Sequence, residues 1–284
     1  MNRHCFYHAG CPDGFGAAFA VWSIWGSGAD YRPRGHDDNP LTAADFQAAE
    51  VLFVDLTPTN AELRTLAPSA AQLTVLDHHI SSQKRVQEED GLMDALAERD
   101  HHVHFDLGHS GAVLAWNHFH PKEPVPLLLQ YVQDQDLWTW DLPHSREINA
   151  CLASYPREFS VWQELSEKSL EELAAQGTAI VRANDIDVKR LLKTAHRARV
   201  GSRAVEAVNS THNRAEIGHG LATRARFDEP WGCVYRVTGR RVHASLYSIG
   251  DFDVSVIAGE YGGGGHRNAS GFSVTLEAWL EMFL

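Results

Sequence analysis

Short apolar runs alternate with amphipathic segments along the first half of the chain. Three such runs are of the kind that forms buried strands, at residues 5–7, 51–54 and 73–76. Apolar residues at helical spacing predict helices between and after them, at residues 15–25, 57–66, 110–119 and 126–133. Strands that alternate with helices are typical of a parallel sheet covered by helices. The first half is therefore predicted to be an α/β domain.

The second half begins with a long helical pattern and then returns to strands. Apolar positions near helical spacing predict one almost unbroken helix over residues 169–199. Four apolar runs after it predict strands, at residues 204–208, 233–237, 242–246 and 254–258. We therefore expect three parts: an N-terminal parallel-sheet domain over residues 1–160, a helical connector over 161–200, and a smaller mixed α/β domain over 201–284.

Composition limits the partners of the chain. Hydrophobic residues make up 44% and charged residues 22%, and no apolar run approaches the length of a membrane span, so we expect no membrane partner. The four cysteines contain no C-x-x-C pair, which suits the reducing cytoplasm. A net charge of -12 argues against binding long duplex nucleic acid. Residues 190–241, however, hold eleven Lys and Arg against four Asp and Glu, which indicates either an anion-attracting region or a solvated basic surface.

Metal-capable side chains follow each predicted strand of the first half. In chain order they are His8 with Asp13, then Asp55, then Asp77, His78 and His79. The carboxyl ends of parallel strands meet at one edge of a sheet, where ligands bind, and carboxylate and imidazole groups suit Mn²⁺ or Mg²⁺. Helix capping is the alternative for Asp55 alone, which precedes a Thr-Pro helix start. Capping does not explain why every strand ends this way, so the sequence predicts a divalent-metal site.

A second candidate site is glycine-rich and lies near the C-terminus. The predicted strand over residues 254–258 is followed by Gly262, Gly263, Gly264, Gly265, His266 and Arg267. Glycine lets backbone amides approach an anion closely, and the histidine and arginine add charged donors. The alternative is a simple turn. The position after a buried strand favours an anion site.

Together these motifs resemble those of the DHH phosphoesterases. Residues 76–79 (Leu-Asp-His-His) match the motif that names the family, residues 7–14 resemble its first motif, and residues 54–55 its second. Residues 262–272 resemble the Gly-Gly-Gly-His signature of the DHH-associated C-terminal domain. Because the motifs extend from His8 to Phe272, the resemblance covers nearly the whole chain.

The resemblance implies a centre of two Mn²⁺ ions, with Mg²⁺ or Co²⁺ as alternatives. In such a centre Asp55 bridges both ions, His8 helps to hold one, and Asp13 and His78 hold the other. His79 would donate to the phosphate, and Asp77 would orient the histidines.

Two further roles follow from the same resemblance. The fourth motif of the family is an aspartate after a helix, for which the sequence offers two residues. We expect Asp134 to be the ligand, with Asp136 as the alternative. In the C-terminal domain, Gly263, Gly264, Gly265, His266 and Arg267 would bind a distal phosphate or nucleotide of the substrate.

The chain departs from the family pattern at two positions. An additional aspartate usual in the first motif is absent, and Gly10 and Cys11 stand in its place. Cys11 is either a small buried filler or a thiolate ligand for a softer metal. Where the family often places an arginine that faces the substrate, this chain has Tyr247.

The expected function is hydrolysis of phosphate esters of a small nucleotide or a short single-stranded oligonucleotide by metal-activated water. Two alternatives stay open. One is a phosphomonoesterase or pyrophosphatase that acts on a non-nucleotide phosphate. The other is a nucleotide sensor without turnover. The sequence leaves the oligomeric state open, with a homodimer among the options.

Overall fold

A computed structural model describes residues 2–35 and 38–283 and divides the chain into two compact units. Unit 1 spans Met1–Val181, and unit 2 spans Arg182–Leu284. Each is described by itself below. Among the described residues, no helix is both long and apolar enough to cross a membrane.

Unit 1 is built on a fully parallel sheet, which confirms the predicted α/β class. Its strands are β1 (Arg3–His8), β2 (Asp30–Arg34), β3 (Glu50–Val54), β4 (Gln72–Asp77) and β5 (His102–Phe105). They pair in the order β2-β1-β3-β4-β5. Leu52 and Val54 join the hydrophobic core on one face, and Val51 and Phe53 join the core on the other. The sheet is therefore buried on both sides, as its continuous apolar strands require.

Helices cover the two faces of this sheet. They are α1 (Pro12–Trp25), α2 (Asn60–Leu66), α3 (Ile80–Gln87), α4 (Leu92–Ala97), α5 (Gly111–Phe119), α6 (Leu127–Asp136), α7 (Ser145–Ser154), α8 (Phe159–Ser166) and α9 (Leu170–Leu191). Helix α1 begins three residues earlier than predicted. The Cys11 side chain accepts a hydrogen bond from the Gly14 amide, and Pro12 occupies the first helical position, where its missing N–H costs nothing. This early start brings Asp13 into the first turn of the helix.

The predicted helix over residues 169–199 is too long. Helix α9 ends at Leu191, and a strand, β6 (His196–Val200), follows a short 3₁₀ turn. In β6 the exposed Arg197 and Arg199 alternate with the buried Ala198 and Val200. That spacing of two is the period of a strand. The basic residues concealed it, because they suit an exposed helix equally well.

Unit 2 holds a mixed six-stranded sheet. Besides β6, its elements are β7 (Arg203–Asn209), α10 (Arg214–Arg224), β8 (Trp231–Thr238), β9 (Arg241–Ser248), α11 (Val254–Gly259), β10 (Gly264–His266), β11 (Ala269–Thr275) and α12 (Leu276–Met282). The strand order is β10-β11-β9-β8-β7-β6, and only the β7–β8 pair is parallel.

The strand predicted over residues 254–258 is in fact helix α11. The Asp253 side chain accepts from the Ser255 amide at 2.9 Å and so caps the helix. The buried residues Val254, Ile257 and Ala258 follow helical spacing, and Val256 is exposed. The β-branched composition indicated a strand, and the cap outweighs it.

Candidate metal centre

The three strand ends in unit 1 converge on one site, as the sequence predicts. Strand β1 ends at His8, Asp55 follows β3, and β4 ends at Asp77. These strands are neighbours in the sheet and run in the same direction, so their carboxyl ends lie side by side. His78 and His79 come directly after β4.

Asp55 lies at the centre of this site. Its Oδ2 is 3.4 Å from His8 Nδ1, and its Oδ1 is 3.0 Å from His78 Nε2. The residue is buried, and its φ of 57° lies in the left-handed region, which is uncommon for residues other than glycine. Its amide is held by the Leu76 carbonyl at 2.9 Å. An unusual backbone conformation at a buried carboxylate favours a functional role over simple capping.

A second group of ligand atoms lies on the far side of His78. Asp13 Oδ2 is 3.4 Å and Asp136 Oδ2 is 3.6 Å from His78 Nε2. The start of α5 orients Asp13, because the amides of Gly111 and Ala112 donate to its carboxylate at 2.6 and 3.0 Å. A Cβ on Gly111 would overlap the Asp55 side chain, so this close approach requires glycine.

Asp136, and not the expected Asp134, contributes to this group. The two residues stand about 200° apart around helix α6, so only one can face the site. Asp134 instead accepts from Thr139 Oγ1 at 2.7 Å and from the Asp141 amide at 2.8 Å, and thereby fixes the loop after the helix. The sequence contains both aspartates but does not show which one accepts hydrogen bonds from the loop after the helix.

Asp77 contacts both residues of the histidine pair. Its buried carboxylate accepts from His79 Nδ1 at 2.7 Å and from the amide of His78 at 2.8 Å. Thr57 Oγ1 donates to its second oxygen at 2.5 Å, a contact that the sequence analysis missed. With Nδ1 of His79 held by Asp77, the chemistry of the ring is left to Nε2.

The carboxylates and imidazoles shift one another's pKa values strongly. Burial, followed by the charge of Asp55, raises the pKa of Asp13 to about 6. Burial and the charge of Asp13 raise the pKa of Asp136 well above its usual range. Burial lowers the pKa of His78, but the hydrogen bond and charge of Asp55 outweigh it and raise that pKa to about 10. In the metal-free protein, bound protons therefore compensate part of the negative charge of the carboxylates.

This donor set fits divalent metal ions. Among the described residues of unit 1, two groups each have three ligand atoms within 4.8 Å of one another. One group is His8, Asp55 and His79, and the other is Asp13, His78 and Asp136. The Oδ2 of Asp136 is shielded from solvent and accepts no hydrogen bond within the described part of the chain. A buried oxygen of that kind is costly unless a cation or proton satisfies it. Oxygen and nitrogen donors of this type suit Mn²⁺ or Mg²⁺.

Two curated proteins are similar to this chain in sequence. An uncharacterized protein of Acanthamoeba polyphaga mimivirus is 28% identical over 94% of this chain and 66% of its own length. Oligoribonuclease NrnB of Bacillus subtilis (strain 168) is 24% identical over 85% of this chain and 63% of its own. The chain thus spans just under two thirds of the length of these relatives. No protein-family model matches it.

Solved structures settle the fold. The DHH domain of a protein assigned to a family of ribosomal proteins has a TM-score of 0.55 at 11% identity, with 99% of this chain and 84% of that chain covered. The chain has the DHH-domain fold. An exopolyphosphatase-related protein of Bacteroides fragilis has a TM-score of 0.51 at 13% identity, over 96% of this chain and 86% of that one. The resemblance to the DHH family that the motifs predict is confirmed.

Cys11, which with Gly10 stands where the DHH motif usually has an additional aspartate, contacts the cluster. Its Sγ is 3.4 Å from His8 Nδ1 and 3.4 Å from Asp55 Oδ2. The same sulfur accepts from the Gly14 amide at 3.2 Å. The helix cap explains why a small side chain with an acceptor atom stands here, and ligation of a metal ion by Cys11 stays a prediction.

The glycine-rich segment forms a hairpin in unit 2. Residues Gly264–His266 are strand β10, which pairs with β11. A Cβ on Gly263 would overlap the Gly271 carbonyl oxygen, so the hairpin itself requires glycine there. Arg267 forms an ion pair with Asp251 at 3.2 Å. The segment follows helix α11 rather than the expected strand, and substrate binding by it stays a prediction.

Tyr247, which stands where the family often has an arginine, lies close to the cationic side chain of Arg214. The ring packs directly on Gly218 of α10, and Arg214 Nη1 at the start of that helix donates to Ser245 Oγ at 3.4 Å. Burial raises the pKa of Tyr247, and the charge of Arg214 opposes that shift. The sequence analysis did not single out Arg214, because the residue lies more than thirty positions before the motif.

Proposed function

We propose that this chain is a divalent-metal-dependent phosphoesterase that hydrolyses phosphate esters of a small nucleotide or a short oligonucleotide. The observation that carries the proposal is the pair of ligand groups at the strand ends of unit 1. Bringing three carboxylates and three imidazoles together has no packing benefit, since a similar volume of apolar side chains would be at least as stable. A cluster that binds cations accounts for them.

Each residue of the cluster has a separable task. Asp55 contacts His8 through one oxygen and His78 through the other, which supports it as the residue that would hold both ions. Bound ions would supply positive charge that lowers the pKa of a water molecule and stabilises the leaving oxygen. His79, fixed through Nδ1 by Asp77, would donate from Nε2 to a phosphate oxygen, or serve as a third ligand beside His8 and Asp55.

The substrate class rests on sequence similarity and charge. Oligoribonuclease NrnB is a relative over most of this chain, which favours a short nucleic-acid substrate. A net charge of -12 disfavours long duplexes, whose binding relies on extended basic surfaces. A phosphomonoesterase or pyrophosphatase uses the same metal chemistry and is the principal alternative. A sensor without turnover would have no need of the complete ligand set.

The test is a substrate panel with chelator-treated protein to which Mn²⁺ is restored. The panel contains short oligoribonucleotides, cyclic dinucleotides, nucleoside bisphosphates, pyrophosphate and polyphosphate. We expect turnover of a nucleotide ester that disappears with chelator and returns with Mn²⁺ or Co²⁺. Full activity after chelation would exclude the metal centre. Turnover of pyrophosphate or polyphosphate alone would assign the alternative function, and metal binding without any turnover would assign the sensor.

A further inference from the structure

A cavity of about 230 Å³ opens beside the cluster in unit 1. His8 lines it, together with Arg34, Pro40, Leu56 and other residues that follow β2 and β3. In the parallel pairing of β1 with β2, His8 stands opposite Arg34, so both side chains leave the sheet on the same face. The cavity and the cluster share His8. A molecule whose phosphate lies at the cluster would therefore extend its adjoining group into this cavity.

Glu62 holds the walls of the cavity in place. Its buried carboxylate accepts from the guanidinium of Arg34, from the Leu41 amide at 3.0 Å and from the Thr59 amide at 2.9 Å. Arg34 also donates to the Asn39 carbonyl at 3.1 Å. One side chain thus binds two backbone amides and the Arg34 guanidinium, which come from different segments of the chain. A cavity with fixed walls binds a guest without first paying to order them.

The chemistry of the walls selects a neutral guest. A guanidinium carries five N–H donors, and Arg34 is both nine-tenths buried and part of the lining. Its charge is balanced by Glu62, and Asp38 adds a negative charge to the lining. Arg34 therefore offers a second phosphate hydrogen-bond donors but no uncompensated positive charge. A group that offers oxygen acceptors to Arg34 and apolar faces to Pro40 and Leu56 would fit.

We propose that this cavity binds the nucleoside moiety joined to the phosphate held at the cluster. The inference rests on the proposed phosphoesterase function and deepens it, because it assigns nucleotide esters rather than pyrophosphate or polyphosphate as the substrate class. The volume is below the ~300–1,000 Å³ usual for sites that enclose a whole ligand, which suits one nucleoside and not two. Arg34 would donate to a carbonyl oxygen of the base or to a ribose oxygen.

Filling the cavity tests this assignment. Gly35 lines it, and a Cβ at that position would meet only Asp38 Oδ1, at 3.9 Å, so the backbone tolerates a side chain there and Gly35→Leu would fill part of the free volume. The matched control is Gly28→Leu, because Gly28 is exposed and a Cβ there would contact nothing within 4 Å. Arg34→Lys is a second variant, which keeps the charge beside Glu62 but removes the planar set of donors.

The readout is binding of adenosine and uridine 5′-monophosphates, and separately of inorganic phosphate, to the Mn²⁺-loaded protein by calorimetry. We expect Gly35→Leu to weaken nucleotide binding by about tenfold or more, and phosphate binding by less than about twofold. Arg34→Lys should show the same selective loss, and Gly28→Leu should show none. Equal loss for phosphate, or no loss for either nucleotide, would overturn the assignment.

This binding assay separates the inference from the proposed function. Wild-type protein that binds the nucleotides no more tightly than phosphate would overturn the cavity assignment even if it hydrolyses phosphate esters. Absence of turnover on every substrate would overturn the proposed enzyme, while a selective loss of nucleotide binding in Gly35→Leu would still support the cavity. Thermal unfolding of each variant shows that the fold is retained.

Discussion

The strand-end cluster of unit 1 and the glycine-rich hairpin of unit 2 both contain motifs that resemble those of the DHH family, yet the structure gives a different reason for each. Folding requires glycine at position 263 beside the hairpin, since a side chain there would overlap the opposite strand. Folding does not require Asp13, Asp55 and Asp136 to lie around one histidine. Buried charge without structural benefit is therefore the stronger indicator of function. The following predictions test whether the two regions differ in this way.

Replacement of Asp55 is expected to have the largest effect. Asparagine keeps the shape and tolerates the positive φ, but it removes the charge placed between His8 and His78. Asp55→Asn should lower kcat by about a thousandfold or more while the protein stays folded. Steady-state kinetics and circular dichroism check this, with the exposed Asp94→Asn as control. Retention of more than a tenth of the activity would contradict a central role for Asp55.

Asp136 and Asp134 should separate metal binding from stability. Asp136→Asn should reduce Mn²⁺ occupancy and lower turnover by about a hundredfold. Asp134→Asn should leave occupancy intact and destabilise the protein by about 1–3 kcal/mol, because the donors of Thr139 and Asp141 lose a charged acceptor. Metal analysis and denaturant unfolding measure the two effects. The opposite pattern would restore Asp134 as the ligand.

His266 tests whether the hairpin has any function beyond its fold. If this residue binds the substrate phosphate, His266→Ala should lower kcat/KM by about thirtyfold, equivalent to ~2 kcal/mol, with unchanged metal content. The exposed His212→Ala of the same unit is the control. Unchanged kcat/KM on every substrate would leave the segment as a structural hairpin, and loss of metal would reassign His266 to the metal centre.

The pH dependence of metal binding should show the protons that balance the cluster. In the metal-free protein, burial lowers the pKa of His8, but hydrogen bonds to Asp55 and Cys11 outweigh it and raise the pKa to about 12. The pKa of His78 is raised to about 10. Both imidazoles therefore carry protons at neutral pH, and a bound cation must displace them.

Between pH 6 and 8, Mn²⁺ affinity should rise by about tenfold per pH unit for each displaced proton. Titrations at constant ionic strength measure the slope, and an affinity independent of pH would contradict this account.

The sequence predicted the cluster better than its surroundings, for a physical reason. His8, Asp55 and His78 follow buried strands whose apolar runs are unmistakable, and a parallel sheet has to bring such ends together. The choice between Asp134 and Asp136 depended on which aspartate accepts hydrogen bonds from the following loop, and no local sequence pattern shows that. Arg34 was missed because β2 is a charged, proline-containing edge strand with no apolar run.

The second half shows the limits of local patterns more plainly. Val254 and its neighbours include several β-branched residues, which are typical of strands. The segment forms a helix because the Asp253 side chain accepts a capping hydrogen bond and because the buried positions follow helical spacing. Arg197 and Arg199 continue a helical pattern in sequence but lie on the exposed side of β6. In both segments tertiary burial overrides weak intrinsic propensity.

The most direct test of the central claim is a count of the Mn²⁺ ions bound to the chelator-treated wild-type chain, by equilibrium titration followed with electron paramagnetic resonance. One ligand group contains Asp55 and the other contains His78, and these two residues are in contact. We therefore predict two ions per chain, close enough for their spectra to broaden through mutual coupling. Asp55→Asn should abolish that coupling. No bound ion, or uncoupled binding that Asp55→Asn leaves unchanged, would contradict a two-metal centre at the strand ends of unit 1.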